Sequence, residues 1–574
     1  MDRIVEILSG LPIDFSNVYI AILRIIAPVL MAVILWRAGR PLLTFEKQPE
    51  VWANLILPDG SELPVTHWEN IIGRHPQSDL VIDLPYISKN HAVLTRYDDG
   101  SWTITDTDSS GGVTVNGEPV QIYALMEGDV IGLNGVEVRL EPTSEEQERT
   151  KVQVRRSGAT LAGSAGNLLL LTLFQMMSCL AFLLNGKPEH SMNVLLGFGG
   201  ICVAQWAVLL FYASIRRFAF EVETIAFFLC TMGMNVIAAT APEETVKQLI
   251  AMAMGLAVFF FVGWSLRDLD RAKLVRYGAT VAGIFFLVVT LLFGKEIYGA
   301  KNWLVIGGFS LQPSELSKVC FVFVGASTMD RILKNRNLMG FIAYSVMLCG
   351  LLALMNDFGT ALIFFIAFLS IAYMRSGSIG TIGLAVTSLG FAGVLALKIA
   401  PHALRRFTIW RHVWEDPLGR GYQQTRSLMC MASGGLLGLG PGNGWMKNLF
   451  ACDTDVVFAT VGEEWGLIAA LLMVASVTVL ALFCLRSASL GRSSFYTIGA
   501  CTAASILLAQ TILNVMGTID LLPFTGVTFP FVSNGGSAMI SAWGLMAFVK
   551  AAAVRQNASF AIRIPKPLRN GEFR

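Results

Sequence analysis

Four carboxylates lie in one short stretch of this 574-residue chain, and their type and spacing make them its best candidates for chemistry. The stretch, residues 451–467, reads ACDTDVVFATVGEEWGL and contains Asp453, Asp455, Glu463 and Glu464 at the start of a long apolar run. A carboxylate that enters the apolar core of a bilayer costs about 2.5 kcal/mol or more, so acids clustered at a membrane boundary usually mark a functional site. We therefore expect the chemistry of the protein to take place here.

The elements that must position these acids are membrane helices. Hydrophobic residues make up 54% of the chain, charged residues only 15%, and the mean hydropathy is +0.59, which excludes an ordinary soluble protein of this size. About 20 apolar residues can cross a bilayer. Thirteen runs near that length are present: 17–36, 166–185, 193–213, 221–240, 247–264, 274–293, 315–332, 339–355, 358–374, 379–398, 463–484, 496–516 and 535–553. The predicted fold class is a polytopic α-helical membrane protein with a small soluble all-β domain.

The distribution of Lys and Arg predicts the orientation of these spans. Basic residues cluster in alternate loops, and such loops usually face the cytoplasm. This assignment places Met1 outside, the C-terminus inside, and the loops 294–314, 399–462 and 517–534 on the outer face of a bacterial plasma membrane. The first apolar run begins late and lacks a small-residue cleavage site, so no cleavable signal is predicted. The net charge of +2 gives no indication of a nucleic-acid partner.

Residues 41–150 interrupt the apolar pattern and predict a small antiparallel β domain. Alternating stretches such as HAVLTRY and VEVRLEP are separated by turn sequences such as DDG and NGEP. Three motifs, IIGRHPQSDLVID (71–83), ISKNHAVL (87–94) and VTVNG (113–117), have the order and spacing of a forkhead-associated (FHA) domain, which this segment resembles. FHA domains bind phosphothreonine peptides, so the resemblance implies a phosphothreonine protein as a partner on the predicted cytoplasmic side.

The FHA resemblance also implies which residues bind the phosphopeptide: Arg74, Ser88, Lys89 and Asn116. A guanidinium offers paired donors to a dianionic phosphate, while a hydroxyl and an ammonium close the pocket. His91 is expected to brace the phosphate-binding loop. Gly111 departs from the family pattern, which usually has an Asn there that holds the peptide backbone, so an FHA fold that has lost its ligand is the alternative.

Three further segments of the predicted outer loops contain polar residues that a functional site could use. Lys318 lies one turn into an apolar run and needs a buried partner, for which Glu315 at i−3 is the natural choice, although Glu315 also suits a capping role. Asp357, in NDFGTA, either caps the following helix or acts directly. The loop 399–462 is too apolar to be disordered, and its Gly-rich and amphipathic pieces predict interfacial or re-entrant helices.

These segments, taken in order, resemble the SEDS family of cell-wall polymerases. The matching motifs are GAKNW with QPSE and Lys318, NDFGTA, EDPLGRGYQ (415–423), SGGLLGLGPGNG (433–444), TDVVFATVGEEWG (454–466) and PFVSNGGS (530–537). They cover roughly residues 215–555 and ten of the thirteen predicted spans. The resemblance implies a peptidoglycan glycosyltransferase that joins lipid II subunits through β-1,4 bonds on the outer face and releases undecaprenyl pyrophosphate.

The same resemblance implies roles for individual residues. Asp455 occupies the position of the family's essential acid and is the expected general base. Glu463 and Glu464 are further catalytic candidates, as proton partners or metal ligands, while a structural role in closing the loop onto its helix is the alternative. Mg²⁺ or Mn²⁺ would suit such oxygen ligands, but no spacing demands a metal. The candidate substrate-binding residues are Trp303, Glu315, Lys318, Arg405, Arg406, Lys447 and Ser537. For the basic residues, ordinary snorkelling to the interface is the simpler account.

Two residues near the acid cluster depart from the family pattern. Asp453 stands where relatives usually have His, and Asn534 stands where they usually have Tyr. The additional carboxylate should raise the pKa of one of the two aspartates. These changes predict an altered catalytic efficiency or a variant substrate, while the rest of the motif is retained.

The predicted organisation has five parts: an anchor (1–40), the FHA-like domain (41–150), a linker with two accessory helices (151–214), the polymerase core (215–555) and a cytoplasmic tail (556–574). The leading hypothesis is an FHA-regulated polymerase for cell division or elongation that works with a class B penicillin-binding protein, because the family does not crosslink glycan. One alternative is a flippase for the lipid-linked precursor, with Glu315, Lys318 and Asp357 as its pathway. Another is a weakly active scaffold that recruits other cell-wall proteins.

Overall fold

The structure, a computed structural model, describes residues 13–44, 51–143, 160–329, 335–376, parts of 380–393, 401–489 and 494–553, apart from 68, 77, 97–100, 216, 268, 298–299 and 307–308. Fifteen α-helices lie in this described part: α1 (Ile13–Thr44), α2 (Leu161–Asn185), α3 (Ser191–Ser214), α4 (Glu221–Thr240), α5 (Thr245–Ser265), α6 (Leu269–Phe293), α7 (Pro313–Met329), α8 (Asn335–Leu354), α9 (Phe358–Ser376), α10 (Pro401–Ile409), α11 (Tyr422–Gly434), α12 (Val457–Glu464), α13 (Gly466–Ser489), α14 (Ser494–Thr518) and α15 (Gly536–Ala551).

Many of these helices are membrane spans, which confirms the polytopic fold class. Within the described residues, eight helices are long and apolar enough to cross a bilayer, and α8 and α9 contain shorter apolar segments. The predicted spans 315–332 and 535–553 correspond to α7 and α15, which have 17 and 16 residues. Most of the predicted span 379–398 lies outside the described residues.

The soluble segment forms a β-sandwich, as its alternating pattern predicts. Its strands are β1 (Ala53–Ile56), β2 (Glu62–Val65), β3 (Glu69–Gly73), β4 (Leu80–Val81), β5 (Ala92–Arg96), β6 (Trp102–Asp106), β7 (Val113–Val115), β8 (Glu118–Val120), β9 (Ile122–Leu125), β10 (Val130–Leu133) and β11 (Val136–Pro142). One sheet has the order β2-β1-β11-β10-β7-β8 and the other the order β4-β3-β5-β6-β9. The inward residues of both sheets, including Leu55, Leu94, Ile104 and Ile131, form a single apolar core.

The accessory helices α1 to α3 pack directly against the rest of the helical bundle. Gln175 of α2 and Gln205 of α3 exchange side-chain hydrogen bonds of 2.9–3.0 Å, and Gln175 also donates to the Thr231 hydroxyl of α4 at 2.9 Å. Amides that are paired in this way hold helices together in an apolar environment. The Phe174 ring of α2 meets the Trp465 ring edge-on at 5.6 Å, just before α13 begins.

The loops gather at two ends of the bundle. At one end, which we call the site end, the end of α2 and the loops around 302, 357, 406, 443, 525 and 537 are hydrogen-bonded to one another. At the opposite end, Lys550 of α15 donates to the Glu223 carboxylate of α4 at 2.9 Å. Which end faces the cytoplasm stays a prediction from the basic residues.

Two local features of the site end differ from a simple pattern of spans and loops. The predicted span 463–484 is broken at Trp465, so that the short α12 ends at Glu464 and α13 starts at Gly466, which has a φ of +87°. The predicted outer loop 294–314 contains a small antiparallel sheet of β12 (Lys295–Ile297), β13 (Ala300–Ile306) and β14 (Phe309–Leu311). Glu463 and Glu464 therefore lie in a separate short helix and not in the membrane helix itself.

Candidate active site

Asp455 lies in a tight turn immediately before α12, at the site end of the bundle. The Asn514 side chain of α14 donates to the Asp455 carbonyl oxygen at 2.9 Å and to the Val527 carbonyl oxygen at 2.8 Å. This amide therefore joins the acid-bearing turn to the loop 519–535. Sequence reasoning missed Asn514, although a buried amide in a predicted span is the kind of signal that marks such a site.

The Asp455 carboxylate faces a backbone that has no side chain in its way. A Cβ atom added to Gly526 would lie only 3.2 Å from Asp455 Oδ2, and the φ of +66° at Gly526 is one that residues with side chains rarely adopt. The carboxylate itself is half-buried. Gly526 thus permits the loop to pass over the acid while leaving it partly open.

The surroundings of Asp455 change its acidity. Burial raises the pKa of the Asp455 carboxyl to about 6, and the nearby Asp453 charge adds to the rise, while a hydrogen bond from Thr454 and the Arg406 charge oppose it. A carboxylate with a pKa near the operating pH is a better general base than an ordinary aspartate. The sequence predicts a raised pKa for one aspartate because of the additional carboxylate; the pKa of Asp455 is raised, but burial is the main cause and the Asp453 charge the smallest one.

The two departures from the SEDS pattern contact each other. The Asn534 side chain donates to Asp453 Oδ2 at 2.7 Å and to Glu244 Oε2 at 2.8 Å, and its backbone N–H donates to the Asp453 carbonyl oxygen at 2.7 Å. The Ser533 hydroxyl donates to the Thr454 carbonyl oxygen at 2.6 Å. Burial raises the pKa of Asp453, an effect that the Asn534 hydrogen bond opposes. The role of Glu244 was not foreseen, although the charged PEE sequence between two spans is a visible signal.

Glu463 and Glu464, at the end of α12, bind the backbone of the Gly-rich loop 439–446. Glu463 accepts from the N–H groups of Trp445 and Met446 at 2.9 and 2.8 Å. Glu464 accepts from those of Gly442 and Gly444 at 3.1 and 3.4 Å. With exposed fractions of 1% and 3%, the two side chains have no room for a substrate hydroxyl. This geometry favours the structural alternative for both residues over a catalytic role.

Gly444 lies on the packed side of the same loop, and Lys447 lies at its surface. A Cβ atom on Gly444 would lie 2.7 Å from Glu463 Oε2, so this position has no space for a side chain. Lys447 is exposed and donates from Nζ to the Gly442 carbonyl oxygen at 3.0 Å. Its ammonium group therefore lies at the surface of the loop, where it can meet an anion.

Two arginines of the candidate set lie on α10. Arg406 is exposed, donates from Nη1 to the Thr525 carbonyl oxygen at 2.8 Å, and acts electrostatically on Asp455. The backbone of Arg405 belongs to the same helix, and its side chain lies outside the described part of the structure. Arg406 thus brings a cation to the open side of the Asp455 turn.

The remaining candidates form a second polar group around the start of α7. Lys318 donates to Glu315 at 2.6 Å, and both side chains are buried, so the predicted i−3 partner is confirmed. The Ser537 hydroxyl accepts from the Gln312 N–H at 2.8 Å. Asp357 accepts from Asn302 and Gln312 and also from the Thr360 N–H, so it does cap α9. Trp303 is half-buried on β13, opposite Lys295.

The acids do not gather into a metal-ligand set where the structure describes them. Within those residues, no group of three or more His, Cys, Asp or Glu side chains is placed to hold a metal ion. The oxygens of Glu463 and Glu464 are occupied by backbone N–H groups. The geometry thus offers no support for the Mg²⁺ or Mn²⁺ site left open by the sequence.

The predicted phosphate-binding residues of the β-sandwich lie on adjoining loops. The Arg74 backbone N–H donates to the Ser88 carbonyl oxygen at 3.0 Å, and Arg74 Nη1 donates to the Pro85 carbonyl oxygen at 3.1 Å. The Ser88 hydroxyl contacts the Ser110 hydroxyl at 3.0 Å. His91 is fully buried between the Ser88 N–H and the Gly112 carbonyl oxygen, as a brace should be.

Three further positions of the sandwich have different surroundings. Lys89 is exposed beside Ser88. Asn116 donates to Asp129 at 2.8 Å and accepts from the Val130 N–H at 3.0 Å, so its amide is used within the domain. A side chain at Gly111 would overlap Asn134, whose amide donates to the Tyr86 carbonyl oxygen at 2.8 Å.

Comparison with known proteins identifies both parts of the chain. The family model FTSW_RODA_SPOVE, described as "Cell cycle protein", matches residues 224–558, more than half of the chain. The chain belongs to this family, which is the SEDS family. An FHA domain model matches residues 70–134. The helical core and the β-sandwich thus have the family identities that their motifs indicate.

Individual relatives cover the same region. The chain is 31% identical over 324 residues to the peptidoglycan glycosyltransferase RodA of Mycobacterium bovis, an alignment that covers 53% of this chain and 69% of that protein. It is 35% identical over 268 residues to a probable peptidoglycan glycosyltransferase FtsW of Moranella endobia, covering 45% and 70%. A solved structure described as "Structural coordination of polymerization and crosslinking by a peptidoglycan synthase complex" matches 58% of this chain and 98% of its own, with 24% identity and a TM-score of 0.50. This last likeness shows a shared fold.

Proposed function

We propose that this protein is a peptidoglycan glycosyltransferase that polymerises lipid II into β-1,4 glycan strands on the outer face of the plasma membrane. The observation that supports it most is Asp455, a half-buried carboxylate with a pKa of about 6 at the site end of a SEDS-family core. The named relatives that cover this region are peptidoglycan glycosyltransferases. The proposed role of this activity is in cell division or elongation.

The chemistry requires a base and a cationic environment. In the proposed reaction, Asp455 removes the proton from the acceptor sugar hydroxyl as that oxygen attacks the anomeric carbon of the donor. The anomeric bond to the pyrophosphate oxygen breaks, and undecaprenyl pyrophosphate leaves with the electron pair. A direct displacement of this kind inverts the anomeric centre and needs no covalent enzyme intermediate. Arg406 and Lys447 supply positive charge for the departing pyrophosphate.

The β-sandwich gives the proposed enzyme a regulatory input. Arg74, Ser88 and Lys89 lie on adjoining loops and present donors suited to a phosphate, as expected for binding a phosphothreonine protein in the cytoplasm. A class B penicillin-binding protein is the proposed partner for crosslinking, since nothing in the reaction above forms peptide bonds between strands.

The test is polymerisation of labelled lipid II by the purified full-length protein, alone and with a candidate transpeptidase. We expect glycan ladders from the wild type and a loss of about 10³-fold in rate for Asp455→Asn, because a positioned general base contributes about 10²- to 10⁴-fold. The matched control is Asp520→Asn, which changes the same residue type in a neighbouring loop and is expected to keep its activity.

The result also separates the alternatives. Ladders that persist in a folded Asp455→Asn protein would remove Asp455 as the base. If the wild type forms no ladders but moves lipid II across sealed vesicles, the flippase hypothesis replaces the polymerase. If it does neither, the scaffold hypothesis is the one left.

A further inference from the structure

Helices from outside the SEDS-family region hold the Gly-rich loop 439–446 of the candidate site. Asn185, the last residue of α2, donates from Nδ2 to the Pro441 carbonyl oxygen at 3.2 Å and to Asn443 Oδ1 at 3.1 Å. Its Oδ1 accepts from the Ser16 hydroxyl of α1 at 2.9 Å. One amide therefore joins α1, α2 and the loop, although α1 and α2 both precede the matched residues 224–558.

Apolar contacts reinforce this junction. A Cβ atom on Gly440 would overlap Ile20 Cγ2 of α1, so the loop backbone passes directly over that helix. A Cβ atom on Gly442 would lie 3.8 Å from the Cβ of Asn185. The loop is thus packed against α1 and α2 on one side, while Glu463 and Glu464 hold its N–H groups from the core.

The loop is also connected to the Asp455 turn. Glu463 and Glu464 end α12, an eight-residue helix that begins two residues after Asp455. Met446 and Leu449, which follow the loop, are buried together with Cys452, Val456 and Ala459 around that turn. The Thr460 hydroxyl of α12 donates to the Cys452 carbonyl oxygen at 2.8 Å. The loop, α12 and the Asp455 turn are thus joined by continuous contacts.

We propose that Asn185 is a positioning residue for glycosyl transfer, acting through the loop 439–446 and α12 on Asp455. This inference rests on the proposed polymerase function. It gives α1 and α2 a specific task that the SEDS core does not provide for itself. The FHA domain lies in the chain between α1 and α2. These two helices therefore connect that domain to the loop of the candidate site.

The first test measures the loop itself and does not depend on activity. In Asn185→Ala, we expect the amide hydrogens of Gly442, Gly444, Trp445 and Met446 to exchange at least about tenfold faster than in the wild-type protein. The matched control is Glu189→Gln, an exposed residue in the same α2–α3 connection. Unchanged exchange at these amides in a folded Asn185→Ala protein would overturn the proposal.

The second test separates positioning from substrate binding. Polymerisation of labelled lipid II by Asn185→Ala should show a kcat lowered by about tenfold and a KM within about twofold of the wild type, because misplacing a reacting group slows chemistry. If the residue instead contacts lipid II, KM rises and kcat stays constant, which contradicts the proposal. A wild type that does not polymerise lipid II overturns the proposed function, and the exchange experiment then decides on the positioning of the loop alone.

The partner residue gives an independent variant. Asn443→Ala removes the loop side of the same hydrogen bond and should reproduce the exchange and kcat effects of Asn185→Ala. The losses in the double variant should be less than additive, because the two single variants share the Asn185–Asn443 hydrogen bond, while Asn185→Ala also removes the bonds to Pro441 and Ser16 and Asn443→Ala the bond to Leu439. Additive losses in kcat would show that the two residues act separately and would overturn the proposed path. Asn443→Ala also serves if Asn185→Ala fails to fold.

Discussion

Two pairs of acids lie within a stretch of twelve residues, but they differ in their exposure and in the groups that their carboxylates contact. Asp455, with Asp453 beside it, lies in an irregular turn, is half-buried and leaves its carboxylate under Gly526 with Arg406 nearby. Glu463 and Glu464 end a helix and direct their buried carboxylates to backbone N–H groups of the loop 439–446. In the proposed reaction the first pair exchanges a proton with a substrate, whereas the second pair holds a loop.

The difference shows that the donors around a buried carboxylate decide its role more than its closeness to the membrane does. A carboxylate that accepts several backbone hydrogen bonds is fixed in place. Burial raises the pKa of Glu464 to about 7 and that of Asp455 to about 6, so acidity does not separate the two residues; Asp455 differs in being partly open to a substrate. Acids that sequence alone groups into one site can therefore divide between catalysis and structure.

The largest effect on stability is expected from breaking the structural pair. Glu463→Gln places an amide nitrogen against the N–H group of Trp445 or Met446 and removes a charged acceptor, so we expect the free energy of unfolding to fall by about 3 kcal/mol. The measurement is thermal or denaturant unfolding of the purified protein in detergent.

An exposed acid provides the control for this prediction. Glu415→Gln changes the same residue type in the 399–462 loop, where the exposed Glu415 carboxylate contacts the exposed His412 ring at 2.9 Å, and should leave stability unchanged within about 0.5 kcal/mol. If Glu463→Gln were as stable as Glu415→Gln, the contrast between the two acid pairs would be wrong.

A smaller effect is expected in the pH dependence of Arg406→Gln. The base must be ionised, so the wild-type rate should rise with pH through about 6, the pKa of Asp455. Removing the Arg406 charge raises that pKa, and the midpoint of kcat/KM against pH should move upward by about 0.5 to 1 unit at low salt. Arg420→Gln, the same charge change elsewhere in the loop, should leave the midpoint in place. A raised KM without a moved midpoint would show that Arg406 serves only the substrate.

The smallest effect is expected from Asp453→Asn. The Asp453 charge adds only slightly to the raised pKa of Asp455, and Asn534 can still donate to the new amide oxygen. We expect the midpoint to move downward by a few tenths of a pH unit, so that the rate at pH 5 rises by about twofold. Abolished activity in a folded Asp453→Asn protein would instead make Asp453 the base and reverse the roles within the pair.

Local relationships along the chain could be predicted, and contacts between distant segments could not. The Glu315–Lys318 pair follows from i,i+3 spacing, and the FHA loops follow from motifs that are short and ordered. The donors to Glu463 come from an irregular Gly-rich loop 17 and 18 residues earlier, for which no periodicity exists. The contact between Asp453 and Asn534 spans 81 residues.

The two departures from the family pattern could be recognised individually in the sequence, but only the fold shows that they are one hydrogen-bonded unit with Glu244. The junction at Asn185 was hidden for a related reason. It joins the loop to helices that have no counterpart in the family pattern, so no motif pointed to it.

Comparing Asp455→Asn with Glu464→Gln at equal amounts of folded protein would decide whether Asp455 is the base while Glu463 and Glu464 hold the loop. The measurement is the initial rate of lipid II polymerisation at pH 7.5. We predict a loss of about 10³-fold for Asp455→Asn and no more than about tenfold for Glu464→Gln. A Glu464→Gln protein that is folded yet inactive, beside an Asp455→Asn protein that polymerises, would contradict this prediction.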